Sequence, residues 1–132
     1  MRTPEDIYDD IYEHIKGSEL DAETTGEVTD KREKESTKED VTIVVYTANG
    51  VQLQYASVNV NVYVHDIQVN GQWRKDRTRC RQLARIAAEV LKKQGNNKDY
   101  RFTIDSQAVK QSPEGKNEHI INTRLDYRSV QK

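Results

Sequence analysis

The chain opens with apolar residues at helical spacing. Five of them recur every three to four positions, namely Ile7, Tyr8, Ile11, Tyr12 and Ile15. Thr3 is a suitable N-cap before Pro4 at the first helical position, and Glu5 suits the positive end of the helix dipole. Gly17 is a typical C-terminal stop. The pattern predicts a short helix with one apolar side, which a sheet or a partner must cover.

A hairpin is the second prediction from the apolar pattern. Val41 to Thr47 (VTIVVYT) is rich in β-branched and aromatic residues, which favour a strand. It is followed by Asn49-Gly50, the strongest short-range signal for a type I′ turn. We therefore expect the segment from Val51 to Asp66 to return as a long second strand.

The return strand contains a change of phase. Its odd-numbered apolar residues are Val51, Leu53 and Tyr55, and its even-numbered ones are Val58, Val60, Val62 and Val64. One interpretation is a β-bulge at Ala56 and Ser57, which restores the apolar set to one face and bends the strand. The other is that the strand leaves the sheet and exposes Val51, Leu53 and Tyr55 to a neighbouring molecule.

A second helix and a second hairpin complete the chain. After a turn at Asn70-Gly71, the pattern predicts a helix from about Asp76 to Gln94 with a stop at Gly95. Its predicted buried stripe is Cys80, Leu83, Ala84, Ala87, Val90 and Leu91. The segments YRFTIDSQAV and HIINTRLDYRSV predict a closing hairpin around Pro113 and Gly115. We expect an α+β fold, with an antiparallel sheet of four to five strands and two helices packed on one face.

The segment between the first helix and the first hairpin is charged and poor in apolar residues. Ser18 to Asp40 includes TDKREKESTKED, where charges of both signs lack a period. The composition predicts a flexible charged loop at about 26–40, with Gly26 to Thr29 as a possible small strand. Long loops inside compact domains often bind partners, although a solvated tip without a partner is the alternative.

Composition adds limits on size and surroundings. The 132 residues suit a single domain, and folding would bury roughly two-thirds of the surface that the unfolded chain exposes. The net charge is −1, which argues against wholesale attraction to nucleic acid or membranes. Residues 1–40 nevertheless hold 14 acidic and 6 basic side chains, and the remainder hold 8 and 15. The opposite charges suit either head-to-tail docking or two faces of one domain.

The single cysteine and the hydropathy pattern indicate the compartment. Cys80 has no partner for an internal disulfide, which fits a reducing environment. The sequence has no apolar run long enough for a membrane span and no apolar segment typical of a signal peptide near Met1. We expect a cytoplasmic protein that leaves the cell only as part of a larger particle.

No motif in the sequence predicts catalysis. His14, His65, His119 and Cys80 fall in different predicted elements without metal-ligand spacing, so we expect no metal site. Cys80 lies on an apolar stripe, where a cysteine behaves as a small hydrophobe. A phosphate-binding glycine loop is absent from the sequence, and we expect no cofactor. The sequence therefore favours a protein that is not an enzyme.

The second predicted helix has a basic side that suits nucleic acid. WRKDRTRCRQLAR places Arg77, Arg81 and Arg85 at helical spacing after Trp73, whose ring can stack on a base. These three arginines are the candidate nucleic-acid contacts of a small binding module using the basic helix 74–93. The alternatives are a solvated helix face or a contact with the acidic first 40 residues of the same or an adjacent chain.

The order of elements resembles the tail-completion, or tail-terminator, proteins that join head and tail in phages and prophages. The resemblance rests on an opening helix DIYDDIYEHIKGSEL, a charged loop, a β hairpin with an extended return strand ending VYVHD, the helix RCRQLARIAAEVLKK and a closing hairpin ending INTRLDYRSV. It covers most of the chain in pattern and size. The unusually charged segment Lys31 to Asp40 departs from it.

The resemblance implies a structural, non-enzymatic protein that forms an oligomeric ring, commonly a hexamer. Such a ring caps the tail tube and meets the head connector, so the expected partners are copies of the chain, the tail tube and head-connector proteins. The chain would assemble in the cytoplasm of a bacterial host and become a virion component. The predicted contacts with a neighbouring subunit or the tail tube are Lys31, Arg32, Glu33, Lys34, Lys38, Val51, Leu53 and Tyr55.

Overall fold

A computed structural model of the chain describes residues 3–47, 55–93, 99–113 and 116–129. The helices are α1 (Pro4–Ile15), α2 (Glu19–Glu23) and α3 (Arg77–Lys92). The strands are β1 (Val28–Thr29), β2 (Val41–Thr47), β3 (Tyr55–His65), β4 (Ile67–Val69), β5 (Gln72–Arg74), β6 (Tyr100–Gln111) and β7 (Glu118–Ser129). The predicted α+β class, with a mostly antiparallel sheet, is confirmed.

Local signals position the two long helices. Thr3 and Asp6 form a capping box at the start of α1: the Thr3 hydroxyl accepts from the Asp6 N–H at 3.1 Å, and the Asp6 carboxylate accepts from the Thr3 N–H at 2.9 Å. Gly17 follows α1 with φ of +80°, as expected for a left-handed stop. Asp76 caps α3 through the Arg79 N–H, so α3 begins one residue after the predicted start.

The described strands form a five-stranded sheet in the order β1-β2-β3-β7-β6 and a separate pair, β4-β5. All pairings in the large sheet are antiparallel except that of β1 with β2, which is parallel. The helices pack on the face that carries the alternate residues of β3 from Ala56 to Val64. Against these pack Ile7, Ile11 and Ile15 of α1 and Leu83, Ala87 and Leu91 of α3.

The predicted bulge at Ala56 and Ser57 is wrong. From Tyr55 to His65, β3 pairs with β7 without any shift in register, and Ala56 and Ser57 pair regularly with β2. Ala56 is buried in phase with the valines, whereas Tyr55 projects from the opposite face and is 43% exposed. The change of phase therefore marks a residue that points away from the core. Within the described strands, a shift of register occurs between Ile104 and Ser106 of β6.

The structure contains four short elements besides the main predicted ones. In the segment expected to be a loop, α2 forms after its N-cap Ser18, buries Leu20 in the core, and is followed by β1, which lies within the possible small strand from Gly26 to Thr29. Beyond β3, β4 and β5 form a hairpin around Asn70 and Gly71, whose φ values of 53° and 77° fit a type I′ turn. The turn was expected, but its two strands were not.

The second face of the large sheet, called here the open face, is not covered by any helix in the described part of the chain. Its side chains alternate with the buried ones and include Val44, Tyr46, Tyr55, Ser57, Asn59, Asn61, Tyr63, Asn122, Arg124, Asp126 and Arg128. Tyr46 is 57% exposed and, like Tyr55, lies near the end of the β2-β3 hairpin. A one-sided sheet with exposed tyrosines is thus available to a partner.

Candidate functional site

The charged loop contains one inward-facing arginine among outward-facing charges. Lys31, Glu33, Lys34 and Lys38 are exposed. Arg32 differs, because its side chain is only 11% exposed and its guanidinium lies over the Tyr63 ring of the open face, 3.9 Å from the centroid. The loop is therefore attached to the sheet through Arg32, and the other four residues are presented to the surroundings.

Arg32 is held by two buried carboxylates and two carbonyls. Its Nε donates to Asp40 Oδ2 at 2.8 Å, and its Nη1 donates to Glu118 Oε1 at 2.9 Å. Its Nη2 donates to the carbonyls of Ser36 and Lys38 at 3.1 and 2.9 Å. The contacts satisfy the planar donor fork of an arginine and link residues 86 positions apart in sequence.

The electrostatics of this cluster favour its charged form. Burial opposes ionisation of Asp40, but hydrogen bonds from the Ser36 hydroxyl and Arg32 outweigh it, so the pKa of Asp40 is lowered from its ordinary value. Burial likewise opposes the charge of Arg32, yet hydrogen bonds to Glu118 and Asp40 raise its pKa. We call Arg32, Ser36, Asp40, Tyr63 and Glu118 the Arg32 network.

Two backbone segments, one around Gly26 and one around Asp40, lie close together beside the Arg32 network. The Gly26 N–H donates to the Glu39 carbonyl at 3.0 Å, and the Val41 N–H donates to the Glu27 carbonyl at 2.9 Å. A Cβ on Gly26 would collide with the Asp40 side chain and would lie 2.7 Å from the Asp40 backbone nitrogen. Glycine at this position therefore allows the start of β1 to pack beside Asp40. An open cavity of about 610 Å³ lies between the loop and the sheet, next to Tyr63 and Glu118.

The hairpin residues predicted to contact a neighbour are described in part. Val51 and Leu53 lie outside the described residues. Tyr55 projects from the open face, and the guanidinium of Arg128 lies 4.9 Å from its ring centroid. Tyr46 was not predicted as a contact, yet it is more exposed than Tyr55 and shares its face. The sequence could have indicated Tyr46 as a contact, because it is an aromatic residue at an even-numbered position of β2, on the face opposite the core.

The basic helix separates its arginines into two groups. Arg77, Arg81 and Arg85 are exposed, and no residue in the described ranges forms an ion pair with them. Arg79 instead donates to Glu39 Oε2 at 2.7 Å and to Glu23 Oε1 at 2.9 Å, and thereby joins α3 to α2 and to the end of the loop. Hydrogen bonds with Glu39 and Glu23 raise the pKa of Arg79, although burial opposes its charge.

The histidines and the cysteine occupy separate positions. His119 Nδ1 lies 2.7 Å from Asp66 Oδ1, His14 Nε2 lies 2.6 Å from the Val90 carbonyl, and His65 Nδ1 lies 3.1 Å from the Asn117 carbonyl. Cys80 is buried, and burial raises its pKa, which disfavours the nucleophilic thiolate. Within the described ranges, no three of the His, Cys, Asp and Glu side chains are grouped so that they could hold a metal ion.

A second shallow depression lies at the N-terminal end of α3. It is lined by the His119-Asp66 pair together with Trp73, Arg74, Lys75, Arg77 and Gln111. Trp73 is 49% exposed, as expected for an aromatic residue in contact with solvent or a partner. The depression brings three cations next to an aromatic ring, and it includes Arg77, the first of the exposed arginines of α3.

Comparison of the chain with protein-family models, curated proteins and solved structures finds no match. None of the helices in the described segments is both long enough and apolar enough to span a membrane.

Proposed function

We propose that the chain is a structural, non-enzymatic subunit that assembles with copies of itself into a ring, as the phage tail-terminator proteins that it resembles do. The observation that carries this proposal is the open face of the sheet, where Tyr46 and Tyr55 are 57% and 43% exposed. Large aromatic residues on an uncovered sheet face are typical of protein contacts, since tyrosine supplies apolar area and a polar hydroxyl. Val51 and Leu53 lie between these two tyrosines in the sequence, and we assign them to the same interface.

The charged loop supplies the second part of the proposed interface. The Arg32 network fixes the base of the loop on the sheet, and Lys31, Glu33, Lys34 and Lys38 remain exposed. Charged residues around an apolar contact suit the polar rim of an interface, where they fix orientation and exclude wrong partners. In this account the loop contacts a neighbouring subunit or the tail tube. Assembly takes place in the cytoplasm of a bacterial host, and the ring then meets the head connector in the virion.

The interface experiment removes the two exposed tyrosines. We expect the double substitution Tyr46→Ser and Tyr55→Ser to weaken self-association at least tenfold, measured by sedimentation velocity over a range of protein concentrations. Trp73→Ser is the matched control, because Trp73 is equally exposed but lies outside the large sheet. Unchanged association in the tyrosine variant would contradict the proposed interface.

A nucleic-acid-binding module is the second candidate function. It is favoured by the exposed Arg77, Arg81 and Arg85, which follow Trp73 and its two neighbouring cations. If it holds, replacement of the three arginines by glutamate abolishes retention of labelled single-stranded or double-stranded DNA, whereas Lys93→Glu with Lys110→Glu does not. Retention that is absent in the wild-type protein at low salt would remove this candidate.

A further inference from the structure

Two rows of exposed charge with opposite sign run along the two long helices. The acidic row consists of Glu5, Asp9 and Glu13 on α1, and the arginine row consists of Arg77, Arg81 and Arg85 on α3. Within each row the residues are four positions apart, so consecutive side chains lie on neighbouring turns and each row is about 12 Å long. The two rows therefore match in length, spacing and number of charges.

Neither row is neutralised inside the chain. All six side chains are exposed, and none of them forms an ion pair or side-chain hydrogen bond with any residue that the structure describes. Arg79 shows the contrast, because it lies on the same helix and is bound by Glu23 and Glu39. The fold thus provides partners for the one arginine of α3 that faces α2, and presents the other three outwards.

The rows lie on the same side of the molecule. α1 packs mainly against β1 and β2, at one edge of the large sheet, and α3 packs mainly against β6 and β7, at the other edge, and both helices cover the same face. On each helix the buried stripe faces the sheet, so the charged row faces solvent. Both rows are therefore accessible to a second copy.

Both rows begin in the first turn of their helix, where the helix dipole affects the two signs of charge differently. The acidic row begins in the first turn of α1, where the helix dipole favours negative charge. The arginine row begins in the first turn of α3, which contains no acidic residue, so the dipole opposes it. An external anionic surface would relieve this unfavourable arrangement on α3.

We propose that the arginine row of one copy binds the acidic row of a second copy. The inference rests on the proposed self-assembly and names the surfaces that direct it. The occupant is a second copy because the chain itself carries a surface of opposite charge with the same spacing and the same number of charges.

The test exchanges the charges of the two rows. The variant Arg77→Glu, Arg81→Glu and Arg85→Glu makes both rows acidic, and the variant Glu5→Lys, Asp9→Lys and Glu13→Lys makes both rows basic. We expect each variant alone to associate at least roughly tenfold more weakly than the wild type at low salt, because like charges then meet. The variant that combines all six substitutions restores association, since it exchanges the two signs and leaves the net charge unchanged. Sedimentation velocity measures association, and circular dichroism checks folding.

The control is Lys93→Glu with Lys110→Glu, which also makes the net charge more negative but at exposed sites outside the rows. It should associate like the wild type. If the wild type assembles and the two row variants do so equally well, the charge rows are refuted and the proposed function stands. A wild type that stays monomeric overturns both.

Two further outcomes would also overturn the inference. One is a six-site variant that is folded but does not recover association, because the rows would then not be recognising each other. The other is an association of the wild type that disappears after nuclease treatment, which assigns the arginine row to phosphates.

Discussion

Arg32 joins parts of the chain that are distant in sequence. Its side chain and those of Asp40 and Glu118 are 11%, 5% and 4% exposed. Charges that are so well buried are tolerated only when they are paired and hydrogen-bonded, and the loss of one member leaves the others uncompensated. The network therefore determines whether the loop remains attached to the open face.

Arg32→Ala is the prediction that tests this attachment. It leaves the carboxylates of Asp40 and Glu118 without their cation, so we expect the free energy of unfolding to fall by about 3 kcal/mol. Lys31→Ala, the exposed neighbour, is the control and should change it by less than about 0.5 kcal/mol. Urea denaturation followed by circular dichroism measures both. Equal effects of the two substitutions would show that Arg32 does not anchor the loop.

A second prediction at the residue scale concerns pH. The pKa of Asp40 is lowered in the folded state, so the unfolded state takes up a proton more readily as the solution is acidified. The contribution of Asp40 to stability is therefore complete above its ordinary pKa and is lost as pH falls through the lowered pKa.

The variant Asp40→Asn isolates this effect. It should be less stable than the wild type at neutral pH, and the difference should shrink as the pH falls from about 5 to about 2. Urea denaturation at a series of pH values measures the difference. A difference that stays constant or grows over this range would contradict the lowered pKa.

At the scale of elements, α2 is too short to be stable by itself. It has five residues, and isolated helices shorter than about 12 residues are marginal in water. Leu20 is the buried residue of α2 and anchors this helix in the core. Arg79 of α3 donates a hydrogen bond to Glu23 of α2. The stability of α2 thus depends on contacts with the rest of the chain.

Removal of Arg79 should loosen α2 before the rest of the fold. We expect Arg79→Ala to lower the free energy of unfolding by about 1 to 2 kcal/mol. The effect is limited because Glu23 is partly exposed and solvent weakens its pair with Arg79. Backbone amides of α2 should exchange hydrogen faster, whereas those of β3 and β7 should change less. Arg81→Ala, on the same helix but exposed, is the control. Unchanged exchange in α2 would contradict the role of Arg79.

The elements with strong local signals could be predicted from the sequence. α1 has a capping box and a periodic apolar stripe, α3 has a stripe of similar kind, and the pairs β2-β3 and β6-β7 follow strongly β-prone segments. α2, β1, β4 and β5 were missed or only suggested because segments of two to five residues hold too little periodic signal. The position of Tyr55 was open, since alternation alone does not say which face a displaced aromatic residue takes.

The candidate surfaces were predictable to different extents. Arg77, Arg81 and Arg85 were placed correctly on one exposed side because they follow a helical period. The inward position of Arg32 could not be predicted, since its partner Glu118 lies 86 residues away and only the fold brings them together. The acidic row was present in the sequence at the same spacing as the arginine row, but its significance depends on the side of the molecule on which each helix lies.

At the scale of the whole molecule, the chain is unbalanced in two ways. One face of its sheet is covered by helices and the other is open, and its acidic and basic side chains are divided between the first 40 residues and the remainder. Both features suit a subunit whose surfaces are completed by its own copies. We therefore expect the protein to self-assemble.

The most direct test of this claim is the mass of the wild-type protein in solution, measured by light scattering coupled to size exclusion over a wide range of concentrations. We expect a mass that rises with concentration towards a closed ring, and the resemblance to tail-terminator proteins indicates six subunits. The rise should be weaker at high salt, because charged contacts are screened. The mass of a single chain at every concentration and at both salt levels would contradict self-assembly.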